Sequence, residues 1–102
     1  MRSELLKSNL DLIEVLCERY GVVKLDVFGS VLKEDFSAES DIDFLVRFKR
    51  DQQMNAFHQY FDFKEALEAL LHRNVDLVCA NAIRNPYFKR EVEQTRQPLY
   101  AA

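Results

Sequence analysis

Glycine, proline and cysteine are scarce in this chain of 102 residues, with two of each. So few Gly and Pro, and no Ser/Gly-rich tract, leave no room for a flexible linker or a long disordered tail. With 48% hydrophobic and 30% charged residues, the expectation is one globular domain over 1–102. Cys17 and Cys79 fall in stretches that read as a helix and a buried strand, so they are expected as small core residues rather than a disulfide or a metal pair. Excess positive charge is also missing. A net charge of −3 and a pI near 5.4 argue against a chain that coats nucleic acid, because neutralising phosphates needs clustered Lys and Arg. No apolar run approaches the roughly 18 residues of a membrane span. "MRSELLKSNLDL" carries acids where a signal peptide would be uniformly apolar. A soluble cytoplasmic protein, without direct nucleic-acid binding, is therefore expected.

The hydrophobic pattern predicts alternating helices and strands. Leu5, Leu6, Leu10, Leu12, Ile13, Leu16 and Cys17 share one side of a helix whose other side carries Glu4, Lys7, Asp11, Glu14 and Glu18. Ser3 would cap that helix and Gly21 would close it. "VVKLDVF" (Val22 to Phe28), "DIDFLVRF" (Asp41 to Phe48) and "NVDLVCA" (Asn74 to Ala80) read as strands. Met54 to His72 has helical period, and Pro86 suits the first residue of a last helix ending near Thr95. The order α-β-β-α-β-α makes an α/β (α+β) chain: a small mixed β-sheet flanked by helices.

Chemistry concentrates between the first two strands. Gly29 and Ser30 follow the first strand, ten residues intervene, and Asp41 and Asp43 then flank one Ile. Side chains two apart on a strand point the same way, roughly 6.5 to 7 Å apart at Cα, so both acids project to one face. Adjacent carboxylates repel unless a cation neutralises them. Mg²⁺ is the cation such a pair suits, being held by one or two carboxylates together with substrate phosphates and water. A glycine directly after a strand lets the backbone approach a ligand, and the turn after it aims N–H groups and the Ser30 hydroxyl at an anion. Either piece alone reads as a turn or a solvated strand end. The combination has a chance frequency on the order of one in a thousand for a chain of this size.

With Phe28 before Gly29, Ser40 before Asp41, the run "SDIDFLV", the acid in "NVDLV" and the closing "NPYFKREVEQTRQPLYAA", the chain resembles the nucleotidyltransferase superfamily of DNA polymerase beta, and within it the minimal nucleotidyltransferase (MNT) group. The resemblance implies a polymerase-beta-like fold. It implies that Asp41 and Asp43 bind two Mg²⁺ ions, that Asp76 binds one of them and helps activate the attacking hydroxyl, and that Gly29 and Ser30 hold the triphosphate of ATP. It departs from the group's usual Arg-rich continuation after Gly-Ser. Here stand Val31, Lys33, Glu34 and Asp35, of which Lys33 is a point-charge phosphate contact without the fork of Arg. Members of the group are commonly paired with a helical HEPN-domain RNase toxin, which they block as antitoxins by attaching AMP to a tyrosine. A HEPN-domain partner is therefore expected, with self-association in its absence. A second reading, from another class, is a binding module that neutralises its partner by occlusion.

Other signals are weaker. Arg47, Lys49 and Arg50 read as a solvated strand end rather than a nucleotide contact. His58 and His72 read as surface residues without metal-ligand spacing. The apolar arc of the central helix, Phe57 to Leu71, is wide for a helix resting on one sheet. It is either wedged between sheet and first helix, or one edge, such as Phe57, Tyr60 and Phe63, meets another protein.

Overall fold

The computed structural model describes residues 4–29, 41–49 and 55–102. The chain runs α1 (Glu4–Ser8), α2 (Leu10–Arg19), β1 (Val22–Phe28), β2 (Ile42–Phe48), α3 (Ala56–Leu71), β3 (Val75–Cys79), a 3₁₀ turn (Ala80–Ala82), α4 (Pro86–Thr95) and β4 (Gln97–Ala101). The four strands form one mixed sheet in the order β3-β2-β1-β4. β1 is antiparallel to both β2 and β4, and β2 is parallel to β3.

Two departures from the predicted order have local causes. The first helix is split at Asn9, whose side-chain amide donates to the Leu5 carbonyl at 2.8 Å while its N–H turns back to Leu6. An Asn that takes a backbone carbonyl in this way competes with helix propagation, and α2 restarts with the Ile13 N–H on the Asn9 carbonyl. The second departure is β4, an edge strand over residues not predicted as a strand. Pro98 hides it, because proline demotes a strand reading. The fold accommodates Pro98 at the sheet edge, where the register against β1 shifts between Leu25 and Asp26. Ser3 and Met54 lie outside the described residues. Gly21 closes α2 with φ 68°, and α4 begins on Pro86 as predicted. Asn55 and Asn85 cap α3 and α4, each side chain accepting from two amides of the first turn.

Strand alternation divides the sheet's two faces. Leu25 and Val27 of β1, Ile42, Phe44 and Val46 of β2, and Val75 and Leu77 of β3 are buried under one helical layer. That layer supplies Leu6, Ile13 and Cys17 from α1 and α2 and Phe63, Leu67 and Leu71 from α3, all 0–1% exposed. Leu12, expected on the same apolar side, is instead 52% exposed, because at 100° per residue it falls at the margin of that arc. At about 25 cal/mol per Å² of apolar area, each such side chain contributes roughly 1.5–3 kcal/mol. The wide arc of α3 is thereby largely explained, with one correction: Phe63 is a core residue packed on the rings of Tyr20 and Phe48, not part of an outer edge. Tyr60 is half-buried and donates its hydroxyl to the Leu77 carbonyl. Phe57, with Phe61 against it at 4.5 Å between centroids, stays exposed.

The opposite face, with Lys24, Asp26 and Phe28 on β1, is covered by α4. Phe88 packs edge-on against Phe28 at 6.0 Å, and Val92 is buried. Cys17 and Cys79 are free thiols, the first buried and the second partly so. Burial, then Glu14 and Glu18, pushes the Cys17 thiol up to about 12. Among the described residues no helix is long and apolar enough to cross a membrane.

Candidate active site

The site is assembled by strand register. In the parallel β2–β3 pair Asp43 lies opposite Asp76, and in the antiparallel β1–β2 pair Phe28 lies opposite Asp43. Adjacent strands are about 4.8 Å apart, and directly paired residues share a face. The end of β1 and the starts of β2 and β3 therefore meet at one edge of the α4-covered face. An amide of β2 ties this edge together, Ile42 N–H donating to the Asn74 carbonyl at 3.0 Å. Asp41 stands just before β2 and is exposed, as is Asp76, while Asp43 between them is half-buried.

Asp43 feels the other two carboxylates. Burial raises the Asp43 pKa above its ordinary value, and the charges of Asp76 and then Asp41 raise it further. This is the effect of like charges gathered beside a partly desolvated carboxylate. Gly29 fits into the same arrangement for two reasons. Its φ of +77° is a left-handed conformation, and a Cβ built on it would lie 2.5 Å from Asp43 Oδ2. The glycine is thus the residue against which the Asp43 carboxylate rests, so Gly29 and Asp43 form one unit.

Among the described residues no three His, Cys, Asp or Glu side chains converge closely enough to hold a metal ion by themselves. Mg²⁺ does not require such a cage, since one or two carboxylates suffice when phosphate and water complete the shell. An all-oxygen donor set under mutual repulsion fits that cation. Ser30 and Lys33 lie outside the described residues. Arg47 and Lys49 are exposed and sit beyond the carboxylates at the far end of β2, Arg47 roughly 13 Å along the strand from Asp43. Arg50 lies outside the described residues. His58 and His72 are exposed, and His72 ends α3 with φ 56°.

A family model described as a nucleotidyltransferase domain matches residues 11–99, a span that holds every element of the site. The chain belongs to this nucleotidyltransferase family. Among its relatives is a candidate protein adenylyltransferase of Methanocaldococcus jannaschii, 35% identical over 81 residues that cover 79% of this chain and 80% of the relative. A solved structure described as a candidate minimal nucleotidyltransferase superposes with a TM-score of 0.75 at 30% identity, covering 95% of this chain and 97% of the other. A more distant one is the complex of a tri-AMPylated Shewanella oneidensis HEPN toxin with an MNT antitoxin. At 18% identity and a TM-score of 0.65, over 94% of this chain and 72% of that one, it shows the shared fold. In this nucleotidyltransferase the strand pairing that brings Asp76 beside Asp43 is the part of the site that local sequence does not dictate. Asp26, buried on β1 two residues before Phe28, is missed by the sequence reading. An acid inside the apolar run "VVKLDVF" is the signal that finds it.

Proposed function

We propose that this chain transfers AMP from ATP, with Mg²⁺, to a tyrosine hydroxyl of a HEPN-type partner and so acts as its antitoxin. The observation that carries the proposal is the meeting of Gly29, Asp43 and Asp76 at one sheet edge, with Asp43 under like-charge stress from Asp76 and Asp41. Relatives named as protein adenylyltransferases and the complex with an AMPylated toxin support the choice of donor and acceptor.

In this reading Asp41 and Asp43 are the residues that would hold two Mg²⁺ ions, and Asp76 would share one of them. The bound cations would neutralise the phosphate charge and acidify the attacking hydroxyl. Gly29 presents a bare backbone to the phosphates, while Ser30 and Lys33 contribute a hydroxyl and a point charge. Asp76 orients the tyrosine oxygen and draws away its proton. That oxygen bonds to the α-phosphorus as the bond to pyrophosphate breaks.

The test is to incubate the purified chain, its partner, Mg²⁺ and ATP and to look by mass for added AMP. Wild type should add it, and Asp76→Asn should bind ATP and partner yet transfer several orders of magnitude more slowly. The occluding-module reading is favoured instead if wild type adds no AMP with any divalent metal while Asp41→Asn, Asp43→Asn and Asp76→Asn all still neutralise the partner.

A further inference from the structure

An aromatic pair stands beside the carboxylate edge and has no part in holding metal or phosphate. Phe28, the cross-strand partner of Asp43, is 6% exposed and packs against Phe88, with 6.0 Å between ring centroids and 71° between planes. Directly paired side chains are about 4.5–5.5 Å apart at Cβ, so one ring separates Phe88 from the Asp43 carboxylate. Rings that meet edge to face are not stacked, and Phe28 therefore leaves at least one broad side of Phe88 uncovered. Phe88 stays 37% exposed, although Val92, one turn on along the same side of α4, is 1% exposed.

The direction of α4 turns this ring toward the edge. Phe88, in the first turn, rests on Phe28, whereas Arg96, just past the exit, binds Asp26, two residues farther from the carboxylates along β1. The helix thus enters at the carboxylate end of the face. Helical side chains lean toward the N-terminus of their helix, so Phe88 leans toward the end of the sheet where Gly29, Asp43 and Asp76 meet. The helix entry is not itself an anion site, because the Asn85 side chain already accepts from the Tyr87 and Phe88 amides at 2.9 and 3.3 Å. What the entry offers the site is an apolar ring.

We propose that Phe88 is the platform on which the base of the nucleoside triphosphate stacks. This deepens the nucleotidyltransfer reading above and rests on it. With the triphosphate at the Gly29, Asp43 and Asp76 edge, the ribose spans the width of Phe28 and the base lies on the open side of Phe88. Phe28 holds the platform ring in place from the sheet. Every base has a π-face, so the ring supplies affinity for the nucleoside without choosing among bases. An acceptor tyrosine is a rival for the same surface. Its contact needs the partner, and the contact with the base does not.

The test therefore uses the whole chain alone with Mg²⁺, and reads binding rather than turnover. ATP and ribose 5′-triphosphate, which lacks only the base, are titrated by calorimetry. Wild type should bind ATP roughly tenfold more tightly, the usual worth of one base stacked on an aromatic ring. Phe88→Leu keeps an apolar side chain on Phe28 but removes the ring, so it should lose most of that advantage while its affinity for ribose 5′-triphosphate stays at the wild-type value. The chain contains no Trp, so Phe88→Trp adds a single fluorophore, which ATP should quench saturably and ribose 5′-triphosphate should not. Equal wild-type affinity for the two ligands, or an ATP advantage that Phe88→Leu retains, overturns the platform and leaves the carboxylate site standing. Parallel loss of both ligands in Phe88→Leu marks a merely structural ring and overturns it too. If wild type binds neither ligand, the triphosphate site itself is refuted and the platform falls with it.

Discussion

Replacing Gly29 by alanine isolates the link between the turn and the carboxylates. Two costs are built into the structure. At φ +77° an L-residue carries a left-handed penalty of about 1–2 kcal/mol. The new Cβ would also lie 2.5 Å from Asp43 Oδ2 and 3.4 Å from its Cγ, so something must move. What moves is the carboxylate, because it ends a short side chain at a half-exposed edge and no backbone atom is among the close contacts. Swinging it off its rotamer adds roughly 0.5–1.5 kcal/mol at most. The stability loss should therefore stay near 1–3 kcal/mol, or about 4–8 °C in Tm for each kcal/mol in a domain of this size.

The functional loss should be much larger than that, because the displaced group is one that the proposed reaction needs in place, and a shift of about 1 Å in such a group costs on the order of 10²-fold in rate. Urea unfolding and AMP transfer, measured on Gly29→Ala, Asp43→Asn and the double variant, separate the two effects. In the double variant the alanine should cost almost no further activity, since the carboxylate it displaces is already gone, and the pair should be strongly non-additive. Wild-type transfer by Gly29→Ala, or full additivity with Asp43→Asn, would refute the argument that Gly29 is there to seat Asp43.

Three further expectations follow from particular contacts. The folded-state pKa of Asp43 is raised above 3.8, so its contribution to stability is fully present below about pH 3.8 and is lost as pH rises through the raised value. In metal-free buffer Asp43→Asn should accordingly be more stable than wild type at pH 7, with the advantage vanishing in acid. Urea midpoints across pH check this, and a constant difference would contradict it. Arg96→Ala strands the buried Asp26 carboxylate with only Lys24 at 3.9 Å and should cost about 2–4 kcal/mol. Asp26→Asn, which leaves the partly exposed Arg96 to water, should cost less in the same unfolding assay. Phe57→Asp with Phe61→Asp changes an exposed ring pair and should alter stability by no more than about 0.5 kcal/mol per site. Loss of co-elution with a HEPN-type partner would place the partner on that edge of α3, and unchanged co-elution would remove it.

Local signals in the sequence were strong where one residue type dictates one backbone state. β1 runs Val22–Phe28 as its β-branched run suggests, and α4 begins at Pro86, whose missing N–H and fixed φ suit a first helical position. They were weak where neighbours in space decide. The break at Asn9 depends on which carbonyl its amide takes, and β4 depends on a sheet edge that tolerates Pro98. In the site, the expectation that Asp41 and Asp43 share a face needed only the period of a strand; Asp41 stands just outside β2, with its charge still felt by Asp43. The place of Asp76 needed the parallel register that sets it opposite Asp43, and that is a tertiary fact. Gly29 was legible as a turn residue, but its contact with Asp43 was not, because the two are fourteen positions apart by number. Ser30 and Lys33 fall outside the described residues.

The same alternation that makes one face a core leaves the other free for chemistry. On β2, Ile42, Phe44 and Val46 are committed to the helical layer, so Asp43, Leu45 and Arg47 must face α4. A one-residue slip of β2 would bury both Asp43 and Arg47 in the core at several kcal/mol each and expose Phe44. The apolar set, buried on the other face, therefore enforces the register that gathers the carboxylates. Asp26 is the exception on the adjacent strand, an acid that α4 covers, and its burial is tolerated only because Arg96, one residue past the end of α4, reaches back to it. The helix that closes this face is thus held by a charge at its exit and by Phe88 on Phe28 near its entry, and Asp43 and Asp76 lie beyond that second contact, at the end of the sheet.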